Sequence, residues 1–222
     1  MTTLYKRKVC CSVCGTGTEF TEIMSTNTCG SPDLDTRPPE MQRSTMFAWV
    51  QRCPECGYSA SDISEAAPAA EALIAGAEYR ALLKDEAYSA LATSFLCVAI
   101  LAREVKKFGA ATWALIHAAW DCDDSDCAEL AGTCRKKAAE MLVLSEEHCQ
   151  QVAGQDGAST AILVDLLRRS GQKEAARHVI STRRGLIKEN VIIGILDYQD
   201  SLLAKNDISC HTIAEAFGEK PQ

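Results

Sequence analysis

The chain has 222 residues, 47% of them hydrophobic and 24% charged, which excludes a disordered or collagen-like polymer and suits an ordinary globular core. Its twelve cysteines fall below the roughly 8–10% that marks a disulfide scaffold. The net charge of −7 is uneven: residues 1–60 hold six basic and six acidic side chains, so the whole deficit lies in residues 61–222. A neutral N-terminal part lacks the basic footprint of a nucleic-acid binder.

The first residues, Met1 to Lys8, are basic but run into cysteines rather than an apolar stretch, which argues against a secretory signal. The most apolar segment, residues 90–102, is broken by Thr93 and Ser94 and is too short for a bilayer core of roughly 30 Å. The expectation is a cytoplasmic protein without a membrane span. Its thiols stay reduced there, and closely spaced cysteines bind metal rather than form disulfides.

Up to about residue 60 the chain shows little helical periodicity. Glu19–Met24 and Met46–Gln51 are β-friendly and read as hairpin strands. Between them, residues 28–39 are dense in Gly, Pro, Asp and Thr and read as an irregular loop. Two CxxC-Gly units stand out, Cys11-Ser-Val-Cys14-Gly15 and Cys53-Pro-Glu-Cys56-Gly57. Two residues between cysteines let both sulfurs reach one ion, and two such units supply the four thiolates of a tetrahedral structural zinc site. The trailing glycines suit the positive φ of a knuckle turn. Cys10, which adjoins the first unit, and Cys29 are the possible substitutes, and neither is expected to displace these four. A thioredoxin-like redox couple is the alternative, but it belongs at a helix start in a βαβ context, which these residues do not supply.

From about Ala66 onward apolar residues recur at helical spacing. Leu91, Phe95, Val98, Ala102 and Val105 draw one face, Trp113, His117 and Trp120 a second, and Cys127, Leu130, Cys134, Ala138 and Met141 a third. Asp126 with Glu129 has the capping-box spacing for that third helix. Ile162 to Leu167, Ala176 to Ile180, and Val191 to Leu202 continue the series, with Gly109, Gly171 and Gly185 between runs. Six or seven antiparallel helices are expected. The segment Val164–Ala176, followed by Ile180, is similar to the tetratricopeptide spacing of paired helices.

The order of motifs supports a resemblance. CxxC-Gly, then Ser25 to Pro39, then Trp49-Val-Gln-Arg-Cys-Pro-Glu-Cys-Gly-Tyr58, and later Ala118-Ala-Trp-Asp-Cys-Asp-Asp124, resemble a bacterial domain family of unknown function. The resemblance implies a paired-CxxC zinc head joined to tetratricopeptide-like helices and implies no activity. The expected fold is therefore mainly α: a small zinc-ribbon-like β and irregular head over residues 1–62, then an antiparallel helical bundle over residues 63–222.

Charge suggests where a partner could sit. Asp33, Asp35, Arg37 and Arg43 lie in the proline-bounded loop, and Arg168, Arg169, Arg183 and Arg184 belong to a stretch, residues 168–188, with seven basic residues against Glu174 alone. Both sets are candidate partner-binding surfaces, with internal Asp–Arg locking and a solvated face as the alternatives. The acidic run Asp121–Asp126 lacks the Gly and Glu of a calcium loop and suits a helix terminus. It could also meet the basic segment between subunits, which leaves a homo-oligomer open. His117, between two tryptophans, reads as a core histidine. No nucleophile–base pair, phosphate loop or HExxH is present. The expected role is a zinc-stabilised adaptor for another protein, not an enzyme. A zinc ribbon on nucleic acid and a thiol redox protein are the weaker readings.

Overall fold

A computed structural model describes residues 1–219. The protein is mainly helical, with a small β head carrying both CxxC units. In the head, β1 (Thr3–Cys10) pairs antiparallel with β2 (Gly17–Ser25), Cys10 lying opposite Gly17 across the hairpin end. A second, two-residue ladder joins β3 (Gln51–Arg52) to β4 (Ser59–Ala60). Each CxxC unit thus occupies a hairpin turn, the arrangement of a zinc ribbon.

One expected strand is a helix instead. Met46 lies in a 3-10 turn over Arg43–Ala48, and only Gln51 reaches the ladder. The turn is fastened locally: Thr45 Oγ1 donates to Gln42 O at 2.7 Å and accepts from Trp49 Nε1 at 3.1 Å. These side-chain bonds give the backbone an alternative to a sheet ladder.

The helices follow in order: α1 (Ala70–Ala75), α2 (Ala77–Leu82), α3 (Ala90–Glu104), α4 (Phe108–Asp124), α5 (Ala128–Glu147), α6 (Ala158–Arg169), α7 (Lys173–Arg183), α8 (Asn190–Ala204) and α9 (Ile213–Ala216). The long ones coincide with the apolar runs, and their shared stripes build one core from Phe95, Ile116, Trp120, Leu142, Leu163 and Leu196. Two local signals read differently. Asp126 sits at φ 56°, inside the α4–α5 turn, so Cys127 precedes the first turn of α5 and no side chain caps it. Gly109 falls in the first turn of α4; the chain reverses at Lys106, whose φ is 57°.

The head and the helices share packing. Val9, Cys11, Cys53, Tyr58 and Ile63 cluster with Ala70, Ile74, Tyr79, Cys97 and Leu101, so α1, α2 and α3 complete the head's core. The loop before the second CxxC goes the other way: Leu34, Met46 and Val50 are buried in the main helical core. The last short helix secures that loop, since Leu34 N donates to His211 O and Ile213 N to Pro32 O, both at 2.9 Å.

Candidate metal centre

Both turns have the same backbone hydrogen bonds. Cys11 N donates to Thr16 O and Gly15 N to Cys11 O; Cys53 N donates to Tyr58 O and Gly57 N to Cys53 O, at 2.8 to 3.0 Å. Gly15 and Gly57 take φ of 75° and 80°, the left-handed region where a Cβ is penalised. The two hairpins present four sulfurs to one point: Cys11, Cys14, Cys53 and Cys56 place their Sγ atoms all within 4.8 Å of one another. Cys11 Sγ lies 3.7 Å from Cys56 Sγ, and Cys14 Sγ 3.5 Å from Cys53 Sγ.

Geometry tests the fit. With metal–sulfur bonds of about 2.3 Å, the edge of an S4 tetrahedron is about 3.8 Å. The two sulfur–sulfur distances above sit just under that edge and the others are no longer than 4.8 Å, so the four side chains could hold one ion. Among the described residues this is the only such group of ligand atoms. Cys10 and Cys29 are exposed and lie outside it.

The free thiols are electrostatically unequal. Hydrogen bonding by Thr16 pulls the exposed Cys14 down to about 6, while burial pushes Cys53 and Cys56 up. Burial opposes a set of four thiolates unless a cation neutralises them, and a bound dication deprotonates its thiol ligands outright.

The supporting contacts were not evident from motif spacing. Tyr58 Oη donates to Glu65 O at 2.9 Å, and Tyr79 Oη donates to Gly57 O at 2.9 Å, tying α2 to the second turn. Gln51 Nε2 donates to Glu22 Oε1 at 3.0 Å while its Oε1 accepts from Ile63 N at 3.1 Å, stitching the two hairpins together.

The two glycines make a graded prediction. Alanine at either meets backbone strain of about 1 kcal/mol. At Gly15 its Cβ would enter open space, whereas at Gly57 it would lie 2.5 Å from Leu83 Cδ1. Gly57→Ala should therefore lower the thermal midpoint of the metal-loaded protein clearly more than Gly15→Ala. Equal midpoints would show that the packing of Leu83 on this turn is immaterial.

The other candidate residues lie mostly inside the structure. Asp35 is fully buried, where its Oδ2 accepts from Trp120 Nε1 at 2.8 Å and from Arg169 at 3.2 Å. Arg169 also reaches Asp123 at 2.8 Å, and Arg135 pairs with the same carboxylate. Although burial pulls the other way, Arg135 and Arg169 hold Asp123 below the ordinary carboxylate range. Arg37 bonds Asp124 at 2.5 Å, and Arg43 bonds Asp33 at 2.8 Å. Arg168 is buried between Asp165 and the carbonyl of Asp207, at 2.7 Å from each. Arg183 and Arg184 are paired more openly, with Glu146 and Asp197.

The Asp–Arg pairs thus lock the loop against α4 and α6. The acidic and basic segments complement one another within a single chain, through Arg169 and Asp123. His117 is ringed by Trp49, Phe95, Trp113 and Trp120 at centroid distances of 5.0 to 6.0 Å. Burial lowers it to about 4, as suits a neutral core imidazole.

No family model matches the chain, and no curated protein or solved structure matches it. Among the described residues, no helix is long and apolar enough to cross a membrane.

Proposed function

We propose that Cys11, Cys14, Cys53 and Cys56 hold one structural zinc ion and that the chain is a cytoplasmic protein–protein adaptor. The observation that carries the first part is the cluster of four cysteine sulfurs, all within 4.8 Å of one another. Zinc prefers such a set, and four thiolates leave no open position for a substrate or an activated water. The ion would then stabilise the fold and perform no chemistry, in keeping with a binding role. The adaptor part rests on the helix pairs that follow, because stacked pairs expose extended surfaces between their helices. Pairing of Arg168, Arg169, Arg183 and Arg184 within the chain weakens the nucleic-acid reading, since each of these charges already has a carboxylate.

The adaptor role is tested by capture from a native lysate, followed by rebinding of each captured protein in purified form. The expected result is one partner that rebinds wild-type protein at a fixed ratio and resists moderate salt. If no captured protein rebinds, or if nuclease treatment removes everything captured, the adaptor reading is wrong.

A further inference from the structure

A cleft between the helices lies apart from the metal centre. α3 and α5 each pack along α4 rather than on one another, so a furrow opens between them, with Leu115 of α4 on its floor and α2 along one side. The cleft measures about 430 Å³, within the roughly 300–1,000 Å³ typical of small-molecule sites. Its interior is apolar, from Leu82, Leu96, Ile100 and Met141, with the Tyr88 ring at one wall.

The mouth carries charges of both signs, with carboxylates in excess by one. Glu78, Asp85 and Glu140 stand there against Arg103 and Lys137. Arg103 is already shared, at 2.6 Å from Glu78 and 2.9 Å from Glu104. Asp85, Glu140 and Lys137 have no ion-pair partner among the described residues, so two free carboxylates face one free ammonium and the rim is acidic by one charge. An apolar interior beneath a carboxylate-rich rim recognises a molecule with an apolar body and a positive head.

We propose that this cleft binds a small organic cation, an amine carried on an aromatic or aliphatic body. The apolar body lies against Leu96, Leu115 and Met141, and the ammonium faces Asp85 and Glu140. The site is independent of the metal centre and of the adaptor role.

Three probes of matched shape and different charge test it: phenethylamine, 2-phenylethanol and 3-phenylpropanoate. Each is titrated into the full chain while amide shifts around Ile100 and Met141 are followed by NMR. Phenethylamine should saturate these shifts and bind at least tenfold tighter than 3-phenylpropanoate, with the alcohol between them. The double variant Asp85→Asn with Glu140→Gln, which leaves Lys137 as the free charge of the rim, should abolish or reverse that preference and leave alcohol binding unchanged. Ala81→Trp, which alters an exposed position at the mouth, should abolish binding of all three. The proposal is overturned if no probe gives saturable shifts there, if the carboxylate or the alcohol binds as tightly as the amine, or if the double variant keeps the full preference.

Discussion

Cys53→Ser is expected to release the metal and to unfold more than the head, at a cost of about 4 kcal/mol or more, the range that loss of a bound metal produces. Cys53 is 1% exposed and shares a cluster with Tyr58, Ile63, Ile74 and Tyr79. When its turn loosens, Tyr79 loses the Gly57 carbonyl that anchors α2. Hydrogen exchange should show protection lost through residues 1–27 and 51–82, while α4 to α8 keep theirs, because their core is built without head strands. Loss confined to the two turns would mean that α1 and α2 stand without the head. Unaltered metal content would mean that Cys53 is not a ligand.

The second large effect belongs to Asp35. Asp35→Ala removes the acceptor for the Trp120 indole and one of the two carboxylates that neutralise Arg169, whose side chain is only 7% exposed. Leaving a buried charge and a buried donor short of partners costs roughly 3–5 kcal/mol. Urea denaturation should show an unfolding free energy lower by that amount with the metal still bound, since the ion pair and the sulfur cluster lie in different parts of the molecule. Arg169→Met alone should also destabilise. The double variant should recover at least about 1 kcal/mol relative to the sum, as directly paired residues do. A change under about 0.5 kcal/mol for Asp35→Ala would show that the network contributes little to holding the loop.

What the sequence shows and what it hides follow from distance along the chain. The four ligands are legible because a CxxC unit and its glycine are a local geometric requirement, repeated twice. The long helices are legible because their burial recurs at a fixed period. Thr3–Cys10 is not, since most of β1 is exposed and lacks the alternation that marks a half-buried strand. Met46–Val50 offers the apolar residues of a strand, yet Thr45 bonds locally and winds the backbone into a 3-10 turn. The loop's role is hidden for the same reason. Asp35 and Arg169 are 134 positions apart, and no pattern in either segment says that they meet. A charged loop and a basic helix end look like two binding surfaces until their pairing is seen. The uncapped start of α5 is a milder case: the capping-box spacing at Asp126 and Glu129 is present, but the tight α4–α5 turn takes Asp126 into the left-handed region.

The most direct test of the proposed zinc centre is metal analysis of the reduced chain, combined with timed alkylation of its thiols. The proposal predicts one zinc per chain. Cys11, Cys14, Cys53 and Cys56 should resist alkylation until a chelator is added, while the exposed Cys10 and Cys29 react at once. A protein without zinc, in which Cys14 and Cys56 are alkylated as fast as Cys10 and Cys29 before any chelator, would contradict the account.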